Sequence, residues 1–98
     1  MTIELIGEYY KDLGSKIIAG TYNRREIILK EVETVNGVDR VQYIKIQLCG
    51  NKVQVMDRYA IGDNLRIVAF IKGMEKMNKE RDRQEYVTVI EAINVSKN

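Results

Sequence analysis

The chain contains no histidine, no tryptophan and no proline, and its 98 residues include a single cysteine, Cys49. One thiol allows no internal disulfide, and one Cys without His cannot assemble a zinc-type ligand set. The missing histidine also removes the commonest general base, so Cys49 has no evident partner to activate it as a nucleophile. Phosphate-cradling and dinucleotide glycine motifs are absent. No charged segment followed by an apolar run opens the sequence, and no apolar run approaches the roughly 18 residues of a membrane span. These absences set the expectation: a non-catalytic protein of a reducing cytoplasm, with no metal, no small-molecule cofactor and no membrane partner.

What is present suits one folded domain over residues 1–98. Hydrophobic residues make up 45% of the chain, enough for a core at a length that holds one domain and not two. Net charge is only +2, but it is unevenly spread. Residues 1–39 carry five Lys/Arg against seven Asp/Glu, whereas 40–58 carry four against one and 72–83 carry five against three. A basic surface forms locally if the last two segments meet in space.

Most periodic segments read as strands. Residues 3–10 alternate Ile3 and Leu5 with Glu4, and Gly7 marks a bend or bulge. Residues 13–16 read as a turn, and 16–20 are compatible both with a continued strand and with a long first loop. Residues 24–33 form the second strand, centred on Ile27, Ile28 and Leu29. Asn36-Gly37 is a hairpin signal, because both central positions of a type I′ turn need positive φ. In the third strand, residues 41–48, Ile44, Ile46 and Leu48 alternate with Tyr43, Lys45 and Gln47, the first set facing the core.

A helix follows, with Asn51 as N-cap, Gln54 completing a capping box, and Val53, Met56 and Ala60 on one face. Residues 61–64 turn into a fourth strand, 65–72, with Leu65, Ile67, Ala69 and Ile71 on one side and Arg66, Val68, Phe70 and Lys72 on the other. Residues 74–84 read as an exposed loop or the extended tip of a hairpin. The fifth strand, 85–95, sets Val87, Val89, Ile93 and Val95 against Tyr86, Thr88, Ile90 and Ala92. Five strands with one helix between the third and fourth outline an all-β, five-stranded Greek-key barrel of the OB type, a fold that binds oligonucleotides and oligosaccharides.

The order of short motifs carries a resemblance along nearly the whole chain. Ile6-Gly7, the run from Asn23-Arg24-Arg25 to Leu29, Leu48-Cys49-Gly50, Tyr59-Ala60-Ile61-Gly62-Asp63 and Tyr86-Val87-Thr88-Val89-Ile90-Glu91-Ala92 together resemble small bacterial OB-fold proteins related to single-stranded DNA-binding protein and primosomal replication protein N. The resemblance implies a single-stranded DNA or RNA partner and self-association, a dimer or a higher assembly. Proteins of this type usually carry tryptophan and phenylalanine on the binding face, whereas this chain has no Trp and one Phe.

Single strands are held by a basic groove along the phosphates and by rings beneath the bases. The candidates on that logic are Arg24 and Arg25 in strand two, Tyr43 and Lys45 in strand three, and Arg66, Phe70 and Lys72 in strand four. Lys76, Lys79, Arg81 and Arg83 between strands four and five join them, and Tyr86 and Tyr22 are weaker candidates. If Phe70 is instead a core residue, Ile67, Ala69 and Ile71 face outward as an apolar subunit interface. An interaction module that has kept the barrel without nucleic acid is the competing reading, supported by the few aromatics and the near-neutral charge. Cys49 reads as a small buried residue and Asp63 as an organiser of its turn.

Overall fold

The computed structural model describes residues 1–18 and 22–98, with the side chains of Ile18 and Tyr22 outside that description. Five strands, β1 (Thr2–Ile18), β2 (Tyr22–Val35), β3 (Val38–Cys49), β4 (Asn64–Asn78) and β5 (Arg83–Lys97), close in the order β1-β2-β3-β5-β4. A 3₁₀ helix, Gly50–Arg58, joins β3 to β4. This is the expected OB-type barrel. Among the described residues no helix is long and apolar enough to cross a membrane.

Closure depends on β1, which residues 2–8 pair to β4 and residues 8–18 pair to β2. At the changeover sits Gly7, where a Cβ would meet the Lys30 carbonyl oxygen at 2.5 Å. The glycine therefore serves a close approach of two backbones. Residues 13–16 are not a turn. Register shifts between Tyr9 and Lys11 and between Asp12 and Gly14 bend the strand without ending it, and it runs on through Ile18. Residues 19 and 20 lie outside the described residues.

Asn36 and Gly37 have φ of 53° and 76° between the paired residues Val35 and Val38, as a two-residue primed turn requires. The inward set in β3 is as expected, with Ile46 and Leu48 fully buried and Ile44 half-buried. In β4, Leu65, Ile67 and Ala69 are fully buried, so the Phe70 side of that strand is the outer one. The alternative subunit interface through Ile67, Ala69 and Ile71 is thereby removed.

Two expectations about faces need correction. The helix has neither the Asn51 cap nor the capping box; it starts at Gly50, and its N-cap Cys49 makes no side-chain bond to the helix's first turn. Its side chains repeat every three residues, not every 3.6. Val53 and Met56 are buried and Tyr59, three residues further on, packs on the core and donates its hydroxyl to the Val95 carbonyl at 3.1 Å. Ala60, which α-helical spacing would place beside them, is exposed. In β5 the register shifts between Val68 and Ala69 of β4, which pair with Asn94 and Ala92 and leave Ile93 as the extra residue. Ala92 and Val95 both reach the core while Ile93 is exposed. The inward set is therefore Ile90, Ala92 and Val95, and Val87 and Val89 share the outer side with Glu91.

Residues 74–84 form an extended hairpin: β4 and β5 stay paired out to Asn78 and Arg83, and residues 79–82 make the tip. Asn78 Oδ1 accepts from the Glu80 and Arg81 backbone N–H groups and fixes the turn.

Candidate nucleic-acid interface

The outer face of β2 and β3 is a ladder of cross-strand pairs: Arg24 with Cys49, Glu26 with Gln47, Ile28 with Lys45, Lys30 with Tyr43, and Val32 with Val41. Polar and aromatic residues stand on it beside Ile28, Val32 and Val41, because the opposite parity of both strands, Ile27, Leu29, Ile46 and Leu48, is consumed by the core.

The first β1 bulge adds a side chain to this face. Tyr9 points into the core, and Tyr10, the extra residue, turns out. Its ring lies 5.0 Å from that of Tyr43, the planes inclined by 57°, and Lys30 Nζ stands 5.7 Å from the Tyr10 centroid. Both residues stay about half exposed, Tyr10 at 43% and Tyr43 at 57%. Tyr10 and Lys30 were not expected at a site. The adjacent pair Tyr9-Tyr10 was the available signal, since neighbours in a strand face opposite ways.

A groove opens beside this face. β5 meets β3 through one parallel pair, Gln47 with Glu91. Before Glu91 the two strands part, leaving a cleft of about 380 Å³, within the range of small-ligand sites. Arg24, Glu26, Lys45 and Gln47 line one wall and residues 87–90 of β5 the other. Lys45 Nζ is 3.5 Å from Glu26 Oε2. Arg24 makes no ion pair among the described residues, and its buried Nε–H finds no acceptor there.

The closed end of the groove is a polar cluster. Glu91 Oε1 accepts from Lys72 Nζ at 3.0 Å, Gln47 Nε2 at 3.3 Å and Cys49 Sγ at 3.4 Å. Burial pushes the Glu91 carboxyl up, but hydrogen bonds from Lys72 and Cys49 outweigh it and hold the group below its ordinary value. Burial pushes the Cys49 thiol up, which suppresses the reactive thiolate. Phe70 lies on the neighbouring outer face of β4, with Lys72 Nζ 5.2 Å from its ring centroid. One continuous surface thus joins Tyr10, Tyr43, Lys45 and Arg24 to Phe70 and Lys72.

Other expected residues fall elsewhere. Arg25 has the inward parity of β2, and its guanidinium is a structural clasp at the end of the barrel. Nη2 and Nε donate to the Asp12 carboxylate at 2.7 and 3.3 Å, and Nη1 donates to Asp57 Oδ1 at 2.9 Å and the Val53 carbonyl at 3.0 Å. These bonds raise its pKa and hold Asp12 below the ordinary carboxylate value. Only 11% of the side chain is exposed, so Arg25 is withdrawn from the groove. Arg66 sits on the β1–β4 side, bonded to Glu4 Oε2 at 2.8 Å.

On the hairpin, Lys76 stands opposite Glu85 and Arg83 opposite Asn78, on one face, with Lys79 and Arg81 at the tip. Tyr86, opposite Glu75, is exposed on the other face. The Tyr22 side chain lies outside the described residues. Set beside known proteins, the chain matches no protein-family model and no curated protein.

Proposed function

We propose that this barrel is a non-catalytic module that binds single-stranded nucleic acid, DNA in the first instance, across the outer face of β2, β3 and β5. The observation that supports this reading is the tyrosine pair beside the groove: two half-open rings, with Lys30, Lys45 and Arg24 on the same face. Rings of this kind accept bases of any sequence, and each stacked base contributes about 1–3 kcal/mol. The cations lie along the same ladder, where they can follow the phosphates.

Fluorescence anisotropy with a labelled mixed-sequence strand of about 30 nucleotides, longer than the roughly 4–16 that one OB fold covers, tests the proposal. Three or four phosphate contacts give a log–log salt slope of about −2 to −3 for a single strand. Affinity then falls roughly twenty- to sixty-fold between about 50 and 200 mM salt. Duplex of the same sequence should bind more weakly. Absence of binding at the lower salt refutes the reading.

The second reading, a protein-interaction module, is favoured by a different feature. Toward β3, β5 is paired only at Glu91, so among the described residues its edge over 87–90 is open to an added peptide strand. The exposed Val32, Val38 and Val41 near the β2–β3 turn support self-association in the same spirit. Sedimentation of the free protein measures that second point, and a single concentration-independent monomer rejects it.

A further inference from the structure

Glu26 is an unexpected group in a groove meant for a polyanion. It lies at the centre of the wall, on the Glu26–Gln47 rung, with Arg24 one rung to one side and Lys45 one rung to the other. Residues two apart along a strand are separated by about 6.6 Å. The two cations therefore flank the carboxylate along the strands; Lys45 Nζ rests 3.5 Å from Glu26 Oε2 on a largely exposed side chain, which can swing to a phosphate as a base turns toward the carboxylate. The Glu26 side chain is only 22% exposed, and in such partly dry surroundings hydrogen bonds are stronger than in water.

The rung is also rich in acceptors. Gln47 commits its amide nitrogen to Cys49 Sγ and Glu91 Oε1, so its carbonyl oxygen is the end left for a ligand. Two carboxylate oxygens and one amide oxygen suit a base edge that carries donors. Guanine offers two adjacent parallel donors, N1–H and the exocyclic amine, which fit a carboxylate as a two-pronged pair. Adenine and cytosine place one amine beside a ring nitrogen that is itself an acceptor. Thymine and uracil flank their single N–H with two carbonyls, which the carboxylate repels.

We propose that the Glu26–Gln47 rung reads the Watson–Crick edge of a guanine, so that the protein prefers guanine-containing single strands to oligo-dT. This rests on the single-strand reading above and gives that site a base preference. Sequence-tolerant stacking on Tyr10 and Tyr43 holds the neighbouring nucleotides, and Glu26 is the residue that discriminates.

The test compares three labelled strands of about 15 nucleotides, within the reach of one OB fold: oligo-dT, the same strand with a few separated central guanines, and the same strand with hypoxanthine at those positions. Hypoxanthine keeps N1–H and lacks the exocyclic amine. The guanine strand should bind the wild-type protein roughly tenfold more tightly than oligo-dT, the scale of one good two-pronged base contact. Hypoxanthine should forfeit most of that gain.

Glu26→Gln should bind oligo-dT more tightly than wild type, because a negative charge leaves the groove, while its guanine preference falls away. The tighter oligo-dT binding follows from removing the charge whatever else Glu26 does, so the loss of guanine preference is the readout that a merely structural role would not move. Equal binding of all three strands by wild type, or a preference that survives in Glu26→Gln, overturns the inference and leaves the single-strand reading standing. Failure of every strand to bind, or capture of an extended peptide in place of DNA, overturns both.

Discussion

Replacing Arg25 by alanine separates a structural cation from a ligand-binding one. The guanidinium ties three elements together: β1 through Asp12, β2 through its own backbone, and the 3₁₀ helix through Asp57 and the Val53 carbonyl. The Asp57 carboxylate is 69% exposed, so that pair contributes about 0–1 kcal/mol. The Asp12 pair is two-pronged and shorter, with Asp12 34% exposed, and about 1–2 kcal/mol is reasonable after discounting for solvent. The bond to the Val53 carbonyl, from a charged donor in a part-buried position, adds about 1–2 kcal/mol.

Arg25→Ala should therefore cost about 3 kcal/mol, which for a domain of this size lowers Tm by roughly 12–24 °C. Asp57→Ala should cost less than about 1 kcal/mol. Thermal melts followed by circular dichroism at neutral pH read both. Below its own melting temperature Arg25→Ala should retain single-strand affinity. A loss of stability under about 1 kcal/mol would be too small for a part-buried charged clasp, and a loss of affinity in the folded variant would return Arg25 to the ligand surface.

Three further predictions concern the barrel corner, acid and the stacking face. Gly7→Ala drives a methyl into the Lys30 carbonyl oxygen, and backbone displacement of that kind costs about 1–3 kcal/mol; an unchanged urea midpoint would contradict it. Arg25 holds the Asp12 carboxyl below its ordinary 3.8, and on Glu91, where burial pushes up, Lys72 and Cys49 still hold the carboxyl below 4.5. Carboxyls depressed in the folded state contribute stability that is complete above those ordinary values and lost as pH falls through the folded ones. Urea midpoints should thus be level from neutral pH to about pH 5 and fall below about pH 4, less steeply in Asp12→Asn. Tyr43→Ala and Tyr10→Ala should each weaken single-strand binding by about 1–3 kcal/mol with melting little changed, whereas equal affinity in anisotropy would exclude stacking there.

What was legible in the sequence was what strands and turns write locally. Alternation of Ile44, Ile46 and Leu48 with Tyr43, Lys45 and Gln47 fixed two faces, and Asn36-Gly37 fixed one turn. The lone helix before Gly62-Asp63 fixed the place of the barrel's plug. Bulges were not legible, because a bulge is defined by the partner strand. The extra residues Tyr10 and Ile93 shift the register against β2 and β4, and each reverses which side chains face out. The helix misled for a related reason. Val53 and Met56 fit both a 3.6 and a 3.0 repeat, and only the next member, Ala60 or Tyr59, tells them apart.

Charge misled differently at Arg25. Two adjacent arginines in a strand must point to opposite sides, but the inward one is tolerable only because Asp12 and Asp57, 13 and 32 residues away, converge on it. No local pattern carries that information. The groove itself arises because β3 and β5 share one ladder pair, a property of closure that no segment shows alone.

Single-strand binding is assigned to one face of the barrel, so the decisive experiment is amide chemical-shift mapping of the ¹⁵N-labelled protein titrated with a mixed-sequence single strand. Shifts should concentrate at Tyr10, Arg24, Glu26, Tyr43, Lys45, Gln47 and the 87–90 edge of β5, with the Glu4–Arg66 side of the barrel unmoved. Shifts centred on Glu4 and Arg66, or none at a saturating concentration of strand, would contradict that assignment.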